Sequence, residues 1–407
     1  MTQAARASDK AGAGALAGIR VIDFSQAIVG PTATMLMADF GADVIKVEPP
    51  GGDSSRRWGD SRYGDKGQYS GPYLSINRNK RSIVLDLKSV GGLDVAKRLV
   101  ARADVALENY RPGVMQRLGL GYEELSATNP GLVYCSISGF GQTGPEAHRP
   151  GYDQLLQAYA GLLSITGETG RPAVRIGPMS IDILTGAHAV IGILVALRER
   201  DHSGLGQYID AALYETALHL VTQYICDYSI SGVVPKRTGP FLQFLAPYGN
   251  FRASDREVFI GCGTQKNWEQ LCAEIGRPEL LQRPEFATIG LRSKNQGALY
   301  EILLPIFRAK PAAYWIEVCE RLGIPYSVIN DISDVVQDPQ AKARDALVGI
   351  TGMKGLLTAG PPLRMSRTPP SVRTPPPDIG ANADDILREL GLQTAQIEKL
   401  RADGAIA

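Results

Sequence analysis

Between residues 20 and 138 the chain alternates short β-branched runs with helical stretches, and this alternation narrows the fold more than any other feature. Residues 20–24, 44–47, 83–87, 105–108 and 132–138 are the expected strands, with helices between them near 32–40 and 93–103. Strand, helix, strand at this spacing demands parallel pairing through right-handed crossovers, so the expected fold is α/β, a doubly wound open sheet. Ligands of such sheets sit outside the carboxyl ends of the strands. After residues 207–213 and a helix to about residue 229 the pattern changes. Residues 236–250 are rich in Phe, Pro and Gly, a hairpin is expected over 249–262 with its turn near 254–256, and amphipathic helices follow through Cys319. Residues 331–346 read as a helix, and 356–377 are too dense in proline for regular structure.

A chain of 407 residues has room for two domains, and a net charge of +1 gives no sign of a nucleic-acid or membrane surface. No apolar run is expected to reach the roughly 20 residues of a membrane span. Residues 1–15 read as a disordered Ala/Gly-rich leader without a secretory core, which favours a cytoplasmic location and leaves a transit peptide as the alternative. The five cysteines include no CxxC pair and the four histidines no HExxH spacing, so neither a disulfide framework nor a metal site is expected. No GxGxxG follows the first strand, which argues against a dinucleotide cofactor.

Asp182 stands out chemically. It sits just before the apolar stretch 186–197, whose single ionisable side chain is His188. A carboxylate beside a buried helix must be paired, bonded by helix N-terminal amides, or kept for chemistry. Helix capping is the ordinary role of an acid at such a point.

Eight blocks together give that position a context. They are residues 18–24 (GIRVIDF), Gly30-Pro31, 36–48 (LMADFGADVIKVE), 77–82 (NRNKRS), 108–113 (ENYRPG), 138–145 (SGFGQTGP), 149–153 (RPGYD) and the Asp182 segment 179–188 (MSIDILTGAH). In order and spacing the chain resembles the family III CoA-transferases, the CaiB/BaiF family, over about 16–392. The resemblance implies a large Rossmann-like CoA-binding domain built from both chain ends (16–225 and 331–407), a smaller α+β domain (226–330), and a homodimer of interlocked rings. It implies that Asp182 is the catalytic nucleophile.

For coenzyme A, a substrate and product with no tightly bound cofactor beside it, the resemblance points to Lys80, Arg81, Asn109, Tyr110, Arg117 and Leu118 around the nucleotide. It adds Ala27, Ile28, Ser138 and Phe140 near the thioester. An arbitrary basic trio such as Lys80, Arg81 and Arg111 would otherwise read as a solvated face. For the acyl group, Tyr152, Arg175, Gly261, Gly263 and Lys266 are candidates, the two glycines being equally expected as plain turn residues.

The implied reaction moves CoA from an acyl-CoA donor, succinyl-CoA above all, to a free dicarboxylic acid through anhydride and aspartyl-CoA thioester intermediates. Ile28 and residues 241–247 depart from the formyl/oxalate branch, which makes formate and oxalate poor candidates. The rival within the fold is α-methylacyl-CoA racemase, which has a histidine where this chain has Tyr152; tyrosine, with a pKa near 10, is a poor base at neutral pH. A non-catalytic CoA-binding protein is the third reading.

Overall fold

The protein is described here from a computed structural model, over residues 14–65 and 67–407. The chain divides into two compact units. The larger comprises the described residues up to Ala160, Ile176–Ile225 and Gln340–Ala407; the smaller comprises Gly161–Arg175 and Cys226–Pro339.

Six strands build the larger unit: β1 (Arg20–Asp23), β2 (Asp43–Glu48), β3 (Lys80–Val84), β4 (Val105–Glu108), β5 (Val133–Ser138) and β6 (Tyr208–Ala212). They form one sheet in the order β3-β2-β1-β4-β5-β6, every pair parallel. Alternate residues face opposite layers, as strand geometry requires. Ile22, Ile45 and Ala106 join one core, with Val95 and Leu99 of helix α2 (Val90–Val100). Val21, Val44 and Val105 join the other, under helices α1 (Val29–Asp39) and α4 (Ser180–Ser203). Both faces are therefore covered, the condition for an all-parallel sheet. The chain end completes the first core through Ile386, Leu387, Ile397 and Ile406, and a bridge joins Leu85 to Ile406.

Strand order reverses between β1 and β4, and at such a switch point a crevice opens at the carboxyl edge. Two crossings at this edge leave no room for side chains. A Cβ on Gly139 would lie 2.4 Å from the Cα of Gly151, and a Cβ on Gly186 would lie 2.8 Å from the carbonyl oxygen of Val29. The first lets the loop after β5 pass over the entry to α3 (Asp153–Tyr159); the second lets α4 lie directly on the first turn of α1.

Helix α4 has 24 residues and starts six residues ahead of the apolar stretch expected to be helical. Contrary to the sequence expectation, it is by length and composition long and apolar enough to cross a membrane, because the six residues ahead of the apolar stretch and those after it extend the helix to 24 residues. Here Ile181, Ala189, Val190, Ile193 and Ala196 belong to the core beneath the sheet. Strand β3 likewise begins three residues early, so Lys80 and Arg81 are strand residues, in register with Val44 and Ile45.

The smaller unit holds a three-stranded antiparallel sheet, β7 (Tyr248–Arg252), β8 (Glu257–Gly261) and β9 (Tyr326–Val328), with β8 central. Trp268, Phe251, Phe286, Phe307 and Trp315 form its core. The single helix expected over 331–346 is two, Ile332–Gln337 and Pro339–Ala343. Asp338 between them is extended (φ −56°, ψ 126°), as the residue before a proline prefers. Leu357–Ala359, inside the stretch expected to be irregular, pairs with Leu347–Gly349 ahead of the first proline.

Candidate active site

The turn from β1 into α1 is held from every side. Asn109, just beyond β4, bridges the switch point: its Oδ1 accepts from the Gln26 N–H at 2.9 Å and its Nδ2 donates to the Gln26 carbonyl at 2.8 Å. Asp53 Oδ1 accepts from the Ala27 N–H at 3.2 Å. Lys46 Nζ donates to the Ser25 carbonyl at 2.8 Å and pairs with Asp53 at 2.8 Å. Ala27 has φ +66°, a left-handed conformation that a non-glycine residue keeps only where its surroundings over-determine it. The N–H groups of Val29 and Gly30, the first two of α1, have no acceptor among the described residues. They form a positive helix terminus at the crevice.

Lys80 supports this turn from within. Its side chain is fully buried, and Nζ donates to Asp23 at 3.2 Å, Asn77 Oδ1 at 2.9 Å and the Pro31 carbonyl at 3.0 Å. All three donor positions are occupied, so the expectation of a direct contact between Lys80 and CoA does not fit its place in β3. Burial lowers its pKa to about 8 despite the partly compensating Asp23 charge. Asp23 is pushed up by burial, but Lys80 and Lys46 outweigh that and hold it below its usual value. Arg81 pairs with Asp43 at 2.7 Å and Glu389 at 2.6 Å. Arg117 differs from both: it is exposed, makes no ion pair or hydrogen bond among the described residues, and lies over Gly113. Tyr110 and Leu118 are half-buried beside it, both packed on the first core. Glu108, to which the sequence assigned no role, is a buried carboxylate at the end of β4, pushed up to about 7 by burial.

Asp182 is the third residue of α4, inside the first turn, and is not the N-cap. That position is Met179, which offers no side-chain hydrogen bond. The cap comes from another element: Asp153 of α3 accepts through Oδ2 from the N–H groups of Ile181 at 2.8 Å and Asp182 at 3.3 Å. Gln157, fully buried one turn on, donates to Asp153 Oδ1 at 2.5 Å while its own Oε1 accepts from the Ile176 N–H at 3.0 Å. The foreign cap leaves the half-buried Asp182 carboxylate with no hydrogen bond or ion pair among the described residues. Burial first, and the Asp153 charge second, push its pKa up to about 7. Gly186, one turn further on and on the same face, rests on the α1 backbone, so Asp182 stands above the start of α1.

Ser138 ends β5, and Phe140 packs against Tyr159 and Tyr214. Tyr152, between Gly151 and Asp153, is 69 % exposed. Arg175, Gly261, Gly263 and Lys266 belong to the smaller unit, where Lys266 is exposed in the first turn of the helix Gln265–Glu274. No group of three or more potential metal ligands occurs among the described residues.

Residues 16–383 match the sequence profile of CoA-transferase family III. The chain belongs to that family. As a family III CoA-transferase it is an enzyme that handles CoA thioesters. It is 36 % identical to the succinyl-CoA:glutarate CoA-transferase of Mus musculus, over 96 % of this chain and 90 % of that protein. It is 38 % identical to the acetyl-CoA:oxalate CoA-transferase of Acetobacter aceti, over 90 % and 92 %. A CaiB/BaiF family protein from Brucella suis, of known structure, superposes with a TM-score of 0.85 at 36 % identity, covering 93 % of this CoA-transferase and all of that chain.

Three outcomes follow from these contacts and charges. The folded pKa of Asp182 lies above its unfolded value of about 3.9, so burying its charge costs stability in full above about pH 7 and nothing below about pH 4. Asp182→Asn should therefore melt higher than the parent at pH 8, with the difference vanishing near pH 4; a difference independent of pH would contradict the assignment. Lys80→Ala, which removes the cation paired with buried Asp23 and leaves it Lys46 and two hydroxyl donors, should lose up to about 3–5 kcal/mol in denaturant unfolding. Arg117→Ala should change stability by under about 0.5 kcal/mol, since its exposed side chain has no partner among the described residues.

Proposed function

We propose that this CoA-transferase uses Asp182 as a nucleophile to carry CoA from succinyl-CoA to a dicarboxylic acid. The carrying observation is an unbonded, half-buried carboxylate at the start of a helix, capped by Asp153 in its stead. An Asp182 oxygen attacks the thioester carbonyl carbon; the C–S bond breaks, CoA leaves as thiolate, and a mixed anhydride remains. The thiolate then attacks the aspartyl carbonyl, releasing the donor acid and leaving an aspartyl-CoA thioester. An acceptor carboxylate attacks that thioester, and the same steps in reverse free Asp182. No net proton and no ATP is required. Asp182 serves as the carboxylate, and the basicity that burial gives it favours attack. The free N–H groups of Val29 and Gly30 suit the developing oxyanion, Asn109 and Tyr110 line the switch-point crevice, and Arg117 supplies an unengaged cation for a CoA phosphate.

The succinyl-CoA:dicarboxylate assignment draws on the resemblance of the NRNKRS and GYD blocks and on relatives of that name. Identity alone does not separate it from oxalate, since the Acetobacter aceti relative is as similar. Racemase chemistry is disfavoured by Tyr152, an exposed phenol where a base is required. The outer face of α4, with Ile183, Ile191 and Val195 about half or more exposed, suits burial against a second copy in a homodimer. A cytoplasmic location completes the reading, consistent with five unpaired cysteines.

Mixed with succinyl-CoA and no acceptor, the protein should accumulate a hydroxylamine-sensitive adduct on the peptide containing Ile181, Asp182 and Ile183, and Asp182→Asn should show neither adduct nor transfer. An adduct on Glu215 or Cys262 would sink the nucleophile assignment. Transfer should fall off below about pH 7 as Asp182 protonates. Asp153→Asn, which removes the neighbouring charge, should move that acid limb downward; a limb that stays in place would separate Asp153 from the nucleophile.

A further inference from the structure

Both strands at the switch point end in a buried acid that turns back on the backbone two residues on. At the end of β1, Asp23 accepts from the Ser25 N–H at 2.9 Å; at the end of β4, Glu108 accepts from the Tyr110 N–H at 2.7 Å. The two differ in charge balance. Lys80 and Lys46 hold Asp23 as an anion. Glu108, 5 % exposed, has no such cation among the described residues: burial pushes its pKa up to about 7, the Ser136 hydroxyl and the Tyr110 amide oppose that, and the Asp210 charge adds to it. Register places Ser136 beside Glu108, and Asp210 beside Ser136.

An acid buried without a counter-charge is costly, and no step of the reaction calls on Glu108. What it holds supplies the reason. The Tyr110 N–H has no other acceptor among the described residues, and the two residues that follow Glu108 are those that grip Gln26. Asn109 bonds both the N–H and the carbonyl of Gln26, at 2.9 and 2.8 Å, and the Tyr110 hydroxyl accepts from Gln26 Nε2 at 3.5 Å. Gln26 in turn precedes Ala27, whose left-handed backbone leads into α1.

We infer that Glu108 is a positioning residue for the CoA crevice: its carboxyl sets the Asn109–Tyr110 turn, and through that turn it fixes Gln26 and the approach to the first turn of α1. The role asks for an acceptor and not for a charge, since a neutral carboxyl or a carboxamide keeps an oxygen for the Tyr110 amide. The inference rests on the proposed function for its effect on CoA binding and on rate, but not for its effect on the turn.

Glu108→Met nearly keeps the volume and removes the acceptor; Glu108→Gln keeps the acceptor and removes the charge. Hydrogen exchange on the full chain should show the peptides containing Gln26 and Tyr110 exchanging about tenfold faster in Glu108→Met, with the peptide spanning β2 unchanged. CoA affinity in calorimetry and kcat for transfer from succinyl-CoA to glutarate should each fall about tenfold, and Glu108→Gln should restore all three. Because the link runs through Asn109, Glu108→Met combined with Asn109→Ala should lose no more CoA affinity than the worse single variant. Should Glu108→Met fail to fold, Asn109→Ala must still give the faster Gln26 exchange and the weaker CoA binding, and Glu108→Gln neither. Unchanged exchange in Glu108→Met, a Glu108→Gln as impaired as Glu108→Met, or losses that multiply in the double variant would overturn the inference. Faster exchange with CoA affinity and transfer both intact would reduce Glu108 to a structural group and overturn it as well. A parent that transfers CoA to no acid would sink the proposed function, and the exchange and CoA-affinity comparisons would then decide the inference alone.

Discussion

The site depends on one interaction, the acceptance of the Ile181 and Asp182 amides by Asp153. A helix start has donors that must find an acceptor, and an acid in the first turn is the nearest supply. If Asp182 served that need it would be bonded and stabilised as an anion, with a lower proton affinity. Asp153 meets the need instead and adds a negative charge that raises the proton affinity of its neighbour. Gln157 makes the arrangement stiff, because its amide is bonded at both ends and has no room to turn.

Behind α1 the same economy appears in charged form. Asp23, Lys46, Asp53 and Lys80 are buried together, an arrangement that hydrophobic residues of similar size often equal in stability. Its return is geometric. Lys46 fixes the Ser25 carbonyl, Asp53 the Ala27 amide and Lys80 the Pro31 carbonyl, so the turn that carries Ala27 in a left-handed conformation has no neighbouring alternative. The helix terminus it presents is thereby set before any substrate arrives, as electrostatic stabilisation of an oxyanion requires.

Much of this was legible in the sequence because it is local. Alternation of β-branched and helical runs placed five of the six strands of the sheet to within three residues at each end, and Val105–Glu108 to the residue. Asp182 was visible as an acid beside an apolar run. What stayed hidden depends on distant partners. Nothing near Asp182 announces that Asp153, 29 residues away, is its helix cap, and so the start of α4 was placed too late. Lys80 looked like a solvated or ligand-bound cation because its neighbours in sequence are basic; only the pairing of β3 with β2 turns it inward onto Asp23.

The two kinds of buried polar group at the carboxyl edge therefore have opposite meanings. Beneath the turn the buried charges are matched, Lys46 with Asp53 and Lys80 with Asp23, and removing one partner leaves a costly orphan. The half-buried Asp182 carboxylate has no such partner among the described residues, and burial, with the Asp153 charge, raises its pKa to about 7. A fold selected for stability alone would pair or remove that charge, so an unmatched carboxylate under the cap of another acid is what carries the proposal for Asp182.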